Sequence, residues 1–334
     1  MKRALITGSS GFIGSFVCND LLDKGWQVIG IDSMNDYYDV ALKRARLARL
    51  TARHGFTHVE EKIESPGILL DLFAAHRPDV VIHLAAQAGV RFSIENPRAY
   101  FEANLGGTFE VLEAARAYPP QHMLLASTSS AYGANSDMPY RETARADHQM
   151  SFYAATKKST ENMAHSYAHI YGLPITMFRF FTVYGPWGRP DMAPFKFTKA
   201  VLNGDPIDVY NNGDMKRDFT YVTDLTHALN LLIDVAPDTS APKLDGDSLS
   251  PVAPFRVLNI GNSNTVPLLD FIRAIEGATG KSAQQNLMPM QQGDVPATWA
   301  DASLLFKLTG YVPKTDIRTG VSAFVAWYRD FYNV

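Results

Sequence analysis

The sequence predicts an α/β protein with a doubly wound parallel sheet and a smaller mixed α/β lobe at the C-terminal end. Three observations support this class. A glycine-rich turn follows the first apolar run, an acidic residue ends the second run, and short apolar runs alternate regularly with amphipathic stretches. Runs rich in Val, Ile and Leu are typical of parallel strands buried on both faces, and amphipathic stretches are typical of the helices that cover them.

The first half of the chain contains most of the predicted sheet. Strands are predicted at residues 4–7, 28–32, 80–84, 123–127 and 175–181. Helices are predicted at residues 12–24, 40–53, 68–76, 98–118 and 152–171. We therefore assign residues 1–181 to a larger domain and expect some later segments to return to it.

After residue 181 the alternation changes, because Pro186 and Pro190 interrupt the chain. Helices are predicted at residues 195–203, 225–232 and 268–277. Asp224 is expected to cap the second of them. Residues 182–334 are predicted to form a smaller substrate lobe over the carboxyl ends of the strands. Residues 236–254, rich in Pro, Asp and Ser, are expected to form an exposed loop.

Composition excludes several classes of protein. The formal net charge is −3 at pH 7 and no run of Lys or Arg is present, which argues against a nucleic-acid partner. No apolar run approaches the ~20 residues that a membrane helix needs, and no cleavable signal pattern is present, so we expect a cytoplasmic protein. Cys18 is the single cysteine, which excludes an internal disulfide and a cysteine-based zinc site. We expect no metal.

The glycine-rich turn predicts a dinucleotide site of the Rossmann type. Gly8, Gly11 and Gly14 follow the first strand and open the first helix. Glycines let the backbone approach a pyrophosphate closely, and the helix N-terminus offers free N–H groups. Asp32 ends the second strand, where a carboxylate accepts hydrogen bonds from the adenosine ribose and repels a 2′-phosphate. The predicted cofactor is therefore NAD rather than NADP.

Tyr153 and Lys157 form a candidate proton-transfer pair. They are four residues apart in a predicted helix, so their side chains share a face. A neighbouring ammonium favours the phenolate, so we expect Lys157 to lower the pKa of Tyr153 toward the range of a general base. A cluster of hydroxyl side chains from Ser127 to Ser130 lies at the end of a predicted strand, where it can reach a ligand.

Together these residues resemble the extended short-chain dehydrogenase/reductase family, in its nucleotide-sugar epimerase branch. The resemblance implies that Tyr153 takes the sugar hydroxyl proton, that Lys157 holds the tyrosine and the nicotinamide ribose, and that Thr128 steadies the same hydroxyl. The resemblance also implies that Asn104 contacts the cofactor, and helix packing is the alternative role for this residue. The implied cofactor contacts are Gly8, Gly11, Phe12, Ile13, Gly14, Asp32, Ile63, Leu84, Ala85, Ala86, Gln87, Asn104, Ser127, Tyr153 and Lys157.

Segments 35–39, 85–93 and 179–191 closely resemble UDP-glucuronate 4-epimerases. Thr182 stands where many relatives that act on neutral sugars have Asn. The resemblance implies that Thr182 and Arg189 hold the sugar carboxylate, and a guanidinium matches a carboxylate in shape and charge. The alternative for Arg189 is a solvated charge on a loop.

The UDP end of the substrate is predicted from later segments. The resemblance implies that Arg217 pairs with the pyrophosphate, Tyr210 stacks on uracil and Asp294 meets the uridine ribose. Arg217 could instead be a structural partner of Asp218 or Asp224. The remaining implied substrate contacts are Val90, Arg91, Thr128 and Ser129.

Two segments depart from the family pattern. Gln291-Gln292 stand where broader relatives often have an Arg, so one phosphate contact is in doubt. Lys62-Ile63-Glu64 replaces an acid-first pattern that usually meets adenine.

The resemblance implies a reversible C4 epimerisation of UDP-glucuronate to UDP-galacturonate through a 4-keto intermediate, with tightly bound NAD regenerated in each turnover. Decarboxylases of the family have an acid where Ser130 stands, and dehydratases have an Asp-Glu pair at Ser129-Ser130. UDP-glucose/UDP-galactose epimerisation and a catalytically silent NAD-binding protein are further alternatives. A homodimer formed through the helices at 98–118 and 152–171 is a family expectation.

Overall fold

A seven-stranded parallel sheet is the largest element of the computed structural model, which describes residues 1–291 and 293–334. Its strand order is β10-β6-β5-β4-β1-β2-β3. The strands of the chain are β1 (Arg3–Thr7), β2 (Gln27–Asp32), β3 (Phe56–Glu60), β4 (Val80–His83), β5 (His122–Ala126), β6 (Ile175–Phe180), β7 (Thr182–Tyr184), β8 (Ile207–Val209), β9 (Lys216–Tyr221), β10 (Phe255–Ile260), β11 (Thr265–Pro267) and β12 (Gln285–Leu287).

Helices cover both faces of this sheet, and others pack in a separate core with the smaller sheets. The helices of the chain are α1 (Phe12–Asp23), α2 (Val40–Thr51), α3 (Ile68–His76), α4 (Phe92–Glu95), α5 (Pro97–Tyr100), α6 (Gly107–Ala117), α7 (Phe152–Tyr171), α8 (Ala193–Asn203), α9 (Val222–Leu232), α10 (Leu268–Thr279), α11 (Ser303–Thr309) and α12 (Ile317–Tyr332). Residues of α1 and α9 pack on one face, and residues of α3, α6 and α7 pack on the other. Every residue of β4 and β5 is buried, as strands between two helical layers must be. The predicted α/β class is confirmed.

The strand order reverses direction at β1. This strand pairs with β2 on one side and with β4 on the other. Loops that leave neighbouring strands in opposite directions open a crevice at the carboxyl edge, where ligands of such sheets bind. The glycine-rich turn follows β1 and the segment from Leu84 follows β4, so both border this crevice.

The smaller lobe contains a three-stranded sheet, β11-β9-β7, and a two-stranded sheet, β12-β8. Its core is aromatic. Phe271 stacks on Phe219 with ring centroids 4.7 Å apart, and Phe195 meets Tyr328 edge to face at 5.1 Å. The chain leaves the large sheet at the end of β6, and β7, which begins at Thr182, pairs with β9 of the three-stranded sheet. Later, α9 packs on the large sheet and β10 joins its edge.

Three sequence predictions differ from the structure. Residues 98–118 do not form one α-helix, because residues Phe101–Gly106 form a π-helical segment between α5 and α6. Asp224 lies inside α9 rather than at its N-cap, and its carboxylate accepts hydrogen bonds from the backbone amides of Lys314 and Thr315. Exposure in the loop at 236–254 is concentrated at residues 238–246. Asp247, beyond them, is buried in an ion pair with Arg256.

None of the helices in the described ranges combines the length and the apolar character that a membrane crossing requires.

Candidate active site

The turn between β1 and α1 has a shape that requires glycine. Gly8 has φ +73°, and a Cβ there would lie 2.9 Å from the amide nitrogen of Ala85. A Cβ at Gly14 would overlap the carbonyl oxygen of Gly8. None of the described side chains caps α1, whose N-cap is Gly11, so the first amides of the helix are left for a ligand. This cradle fits a pyrophosphate.

Asp32 connects the cradle to the end of β2. Its side chain is buried, and its two carboxylate oxygens accept hydrogen bonds from the amides of Ser10 and Met34, each at 3.0 Å. The hydroxyls of Ser9 and Ser10 are buried without a hydrogen-bond partner among the described residues. Buried hydroxyls at a ligand-binding turn fit a polar group such as a phosphate or a ribose.

A cleft of about 230 Å³ brings most of the predicted cofactor residues together. Fourteen of them line it, drawn from the turn after β1 and the start of α1, the end of β2, the segments after β3, β4 and β5, and α7. They are Gly8, Gly11, Phe12, Ile13, Gly14, Asp32, Ile63, Leu84, Ala85, Ala86, Gln87, Ser127, Tyr153 and Lys157. Arg189, predicted as a substrate contact, lines the same cleft.

Asn104 lies behind the cleft, inside the π-helical segment. Its Oδ1 accepts a hydrogen bond from the amide of Gln87 at 2.8 Å, and its Nδ2 donates to the Gln87 carbonyl at 3.1 Å and to Thr156 Oγ1 at 3.0 Å. These contacts correspond to the packing alternative. They also fix the backbone of Gln87, which lines the cleft, so Asn104 positions a cleft residue. π-Helical turns are often found at functional sites for such a reason.

Tyr153 and Lys157 line the cleft, and the Thr128 hydroxyl lies beside the Tyr153 phenol. Tyr153 and Lys157 project from the first turns of α7, and Thr128 follows β5 and caps the short turn at Ser129–Tyr132. Burial raises the pKa of the Tyr153 phenol above its ordinary value, while the Thr128 hydroxyl and the Arg189 charge oppose the rise. The predicted net lowering of the Tyr153 pKa is therefore wrong for these side chains, because burial outweighs the hydroxyl and the charge that oppose it.

A buried ion pair that sequence reasoning missed supports this end of the cleft. Glu161 lies one turn beyond Lys157 and accepts hydrogen bonds from Arg179 at 2.8 Å on each oxygen, and from Ser127 Oγ at 2.6 Å. Burial raises the pKa of Glu161, but Arg179 outweighs it and lowers the pKa to about 2. Burial lowers the pKa of Lys157 to about 8, and Glu161 opposes this shift. The hydroxyl of Ser127 is thus already engaged with the protein.

Arg189 is not a solvated loop charge. Its side chain is 22% exposed and forms a two-point ion pair with Asp191. The Nε–Oδ1 distance is 3.0 Å and the Nη2–Oδ2 distance is 2.5 Å. Thr182, its predicted companion, is half-buried at the start of β7, opposite Phe219 of β9.

Two basic residues of α2 that sequence reasoning did not single out also belong to this region. Lys43 lines the cleft and donates to the carbonyl of Asn35 at 2.6 Å and to its side-chain oxygen at 2.7 Å. Arg46 is fully buried and donates to the carbonyl oxygens of Trp187 and Gly188. The only sequence signal for them was their position just after the 35–39 block.

The residues predicted for the UDP end come together at a different place from the cofactor cleft. Arg91 pairs with Asp294 at 3.2 Å, and its guanidinium lies over the ring of Tyr210, 4.9 Å from the centroid. Val90 lies beside Gly293, where a Cβ would be 3.2 Å from the valine side chain. Segments after β4, after β8 and before α11 therefore converge on one surface.

Arg217 donates to the carbonyl oxygens of Lys216 and Pro296, at 2.9 and 3.2 Å. Its suggested structural partners have other roles. Asp218 accepts hydrogen bonds from backbone amides, at 2.7 Å from Asn262, and Asp224 binds the segment before α12. Among the described residues, neither of these two carboxylates forms an ion pair with Arg217.

The remaining predicted residues are half-buried or buried in the described part of the chain. Ser129 is half-buried in the short turn after Thr128. Ile63 is buried and, with Glu64, lines the cleft, so the segment that departs from the family pattern still borders the predicted cofactor. Of the Gln291-Gln292 departure, Gln291 is half-buried, and Gln292 lies outside the described residues.

Comparison with known proteins agrees with this geometry. The family described as the NAD dependent epimerase/dehydratase family matches residues 4–243. The chain belongs to this family. It is 52% identical to a probable UDP-glucuronate 4-epimerase of Rhizobium meliloti (strain 1021), over 99% of this chain and 98% of that protein. This confirms the predicted family.

Two solved structures of related enzymes match this chain over nearly its whole length. A UDP-glucuronic acid 4-epimerase from Bacillus cereus, in complex with UDP-glucuronic acid and NAD, is 32% identical with a TM-score of 0.89 and covers 99% of this chain and 100% of its own. A UDP-glucose 4-epimerase from Thermotoga maritima, with UDP-glucose, is 28% identical with a TM-score of 0.86 and covers 99% of each chain.

Proposed function

We propose that the protein is an NAD-dependent isomerase that interconverts UDP-glucuronate and UDP-galacturonate at C4 without loss of carbon dioxide. The observation that carries this proposal is Arg189, a cation that lines the same cleft as Tyr153 and Lys157. A neutral sugar needs no such charge beside its reacting carbon, whereas a uronate carboxylate does. Similarity to UDP-glucuronate 4-epimerases over almost the full chain supports the same substrate.

The cleft fits NAD, since its glycine cradle admits a pyrophosphate and Asp32 stands where a ribose would be held. When bound, NAD supplies a hydride acceptor at C4 that later returns the hydride. The free amides at the start of α1 would hold the phosphates, and Lys157 would hold the nicotinamide ribose. Because the buried carboxylate of Asp32 stands where the adenosine ribose would lie, a 2′-phosphate there would be repelled.

Tyr153 would remove the proton from the C4 hydroxyl and give it back after the keto sugar has turned. Thr128 lies next to the phenol and would hold the same hydroxyl in line. Since burial raises the pKa of Tyr153, its phenolate depends on nearby positive charge. Arg189 supplies positive charge near the phenol, and Lys157 lines the same cleft.

Retention of the carboxylate follows from what surrounds the sugar. A ketone at C4 is β to the C6 carboxylate, an arrangement that favours loss of carbon dioxide. Arg189 and Thr182 would hold the carboxylate so that the breaking bond stays out of line with the carbonyl. Ser129 and Ser130 are half-buried hydroxyls and supply no acid that could exchange a proton at C5.

The surface formed by Arg91, Tyr210, Arg217 and Asp294 would bind UDP. Arg217 would neutralise the pyrophosphate, Asp294 would accept from the uridine ribose, and Tyr210 would stack on uracil. Because Arg91 already covers one face of the Tyr210 ring, the base would use the other face.

We also propose a homodimer formed through α6 and α7. Phe109 on α6 and Ile170 and Tyr171 on α7 are exposed, at 45%, 63% and 43%. Exposed apolar side chains on adjacent helices are typical of a protein interface. Light scattering on the purified protein measures this directly. We further propose a cytoplasmic location, which fits a chain whose single cysteine excludes an internal disulfide.

The Tyr153→Phe variant tests the proposed chemistry. It keeps the ring but removes the proton acceptor, so turnover of UDP-glucuronate should fall by about 10³-fold or more while NAD stays bound. Carbon dioxide and C5 proton exchange should remain negligible in the wild type. Full activity in the variant would refute Tyr153 as the base. Substantial carbon dioxide release or C5 exchange by the wild type would refute the epimerase assignment.

A further inference from the structure

The guanidinium of Arg189 has one edge occupied and one edge free. Asp191 takes the edge formed by Nε and Nη2, as described above. The hydrogen bonds of Arg189 among the described residues come only from these two nitrogens, so Nη1 remains for a ligand. A guanidinium can bind a second carboxylate through its Nη1–Nη2 edge while the first edge stays bound.

Asp191 is itself held by a residue from the cofactor side of the molecule. Tyr37, in the segment after β2, donates its hydroxyl to Asp191 Oδ2 at 3.2 Å. The Tyr37 ring packs against Phe92 with centroids 4.9 Å apart, and the Arg189 guanidinium lies 6.0 Å from the same ring. Asp191 thus fixes the direction of Arg189, and Tyr37 in turn holds Asp191.

The backbone before Arg189 is anchored by the same region. Arg46 of α2 is fully buried and donates to the carbonyl of Trp187 from Nε at 3.1 Å and from Nη2 at 2.5 Å. Trp187 has φ +63°, a conformation that a bulky side chain adopts only at a cost. The bonds from Arg46 offset this cost and keep the loop in the shape that directs Arg189 into the cleft.

Asp191 also stays charged through the neutral range. Burial alone would raise its pKa, but the Arg189 guanidinium and the Tyr37 hydroxyl outweigh burial and hold the pKa below the usual value. The ion pair therefore persists at the pH at which the sugar carboxylate is ionised.

We propose that Asp191 and Tyr37 are positioning residues for uronate recognition, which hold Arg189 so that its free Nη1 edge meets the substrate carboxylate. This inference rests on the proposed function. It assigns part of the specificity to the segment after β2, which otherwise belongs to the cofactor half of the molecule. Without Asp191, the long arginine side chain would have to be ordered by the substrate itself, and the lost side-chain entropy would weaken binding.

The test compares Asp191→Ala and Tyr37→Phe with the wild-type holoenzyme. The readouts are the KM for UDP-glucuronate and the inhibition constant of UDP-glucose, a neutral competitor that lacks the carboxylate. We expect Asp191→Ala to raise the KM about tenfold or more and Tyr37→Phe to raise it about twofold to fivefold. The inhibition constant of UDP-glucose should stay within twofold. Asp36→Ala, an exposed acid in the same segment, is the matched control and should change neither value.

Equal changes for the charged and the neutral ligand, or an unchanged KM in Asp191→Ala, would overturn the inference. If Asp191→Ala does not fold, Asp191→Asn keeps the shape without the charge and is scored by the same ratio. If the wild type does not convert UDP-glucuronate, the proposed function fails. Calorimetric dissociation constants of the two nucleotide sugars then decide the positioning role separately, by the same charged-to-neutral ratio.

Discussion

Replacing Lys157 by Met should stabilise the nucleotide-free protein while abolishing its activity. Lys157 is 2% exposed, and burial lowers its pKa from an ordinary 10.5 to about 8. Each pKa unit between the folded and unfolded states is worth about 1.4 kcal/mol, so the buried ammonium costs about 3 kcal/mol at neutral pH. Methionine has a similar shape without the charge and should recover most of this cost, about 1–3 kcal/mol.

The gain should depend on pH with a defined sign. Below pH 8 both the folded and the unfolded wild type hold the proton, and the full cost of the Lys157 ammonium is present. Between pH 8 and pH 10.5 the folded state releases the proton first, so the wild type gains stability as the pH rises. Above pH 10.5 this cost is gone, and Lys157→Met should lose its advantage.

Urea unfolding at pH 7 and pH 10.5, on protein freed of nucleotide, measures both quantities. Turnover of UDP-glucuronate is measured in parallel, and Lys157→Met should show a loss of at least 10²-fold. The reasoning is refuted if the variant is less stable than the wild type at pH 7. It is also refuted if the difference in unfolding free energy is the same at both pH values.

Two further changes test the cradle and the ion pair behind it. Gly14→Ala should lower the NAD content of the purified protein at least tenfold, because its Cβ meets the Gly8 carbonyl. Gly277→Ala, where nothing lies within 4 Å, is the control, and equal NAD content in both would contradict the clash. Glu161→Gln should lower the unfolding free energy by about 3–5 kcal/mol, because Arg179 is left buried without a counter-charge. Denaturant unfolding of this variant and of a Glu161→Leu/Arg179→Met double variant checks this, and equal losses in the two would argue against it.

The first half of the fold was predictable because its signals are local. Strand β1, the glycine turn and α1 are continuous in sequence, and α3 and α7 begin and end where the apolar pattern predicts. A strand-to-helix turn needs glycine because of close contacts between residues that are near each other in the sequence. The same holds for Asp32 at the end of β2, so the cofactor half of the cleft could be predicted from the sequence.

The rest depends on contacts between distant segments. Strand β10 joins the edge of the large sheet beside β6, a pairing that no local pattern encodes. The π-helical segment replaces part of a predicted α-helix where Asn104 binds Gln87. The sequence pattern predicts Asp224 as a helix cap, but its carboxylate binds backbone amides of a segment about ninety positions later.

The candidate site divides in the same way. Tyr153 and Lys157 are recognisable because one helix turn separates them. Glu161 was missed although it shares that helix, because its importance comes from Arg179 and Ser127 on neighbouring strands. Asp191 was missed because its second partner, Tyr37, lies 154 positions away. Such polar pairs have no periodic signal in the sequence.

Proton NMR of UDP-glucuronate incubated with the purified holoenzyme, without added NAD, tests the central claim most directly. The account predicts that the H4 signal of UDP-galacturonate appears and that the ratio of the two UDP-uronates becomes constant, with C6 retained in both. The same ratio should be reached when the reaction starts from UDP-galacturonate. A UDP-pentose product, or no conversion by protein that contains NAD, would contradict it.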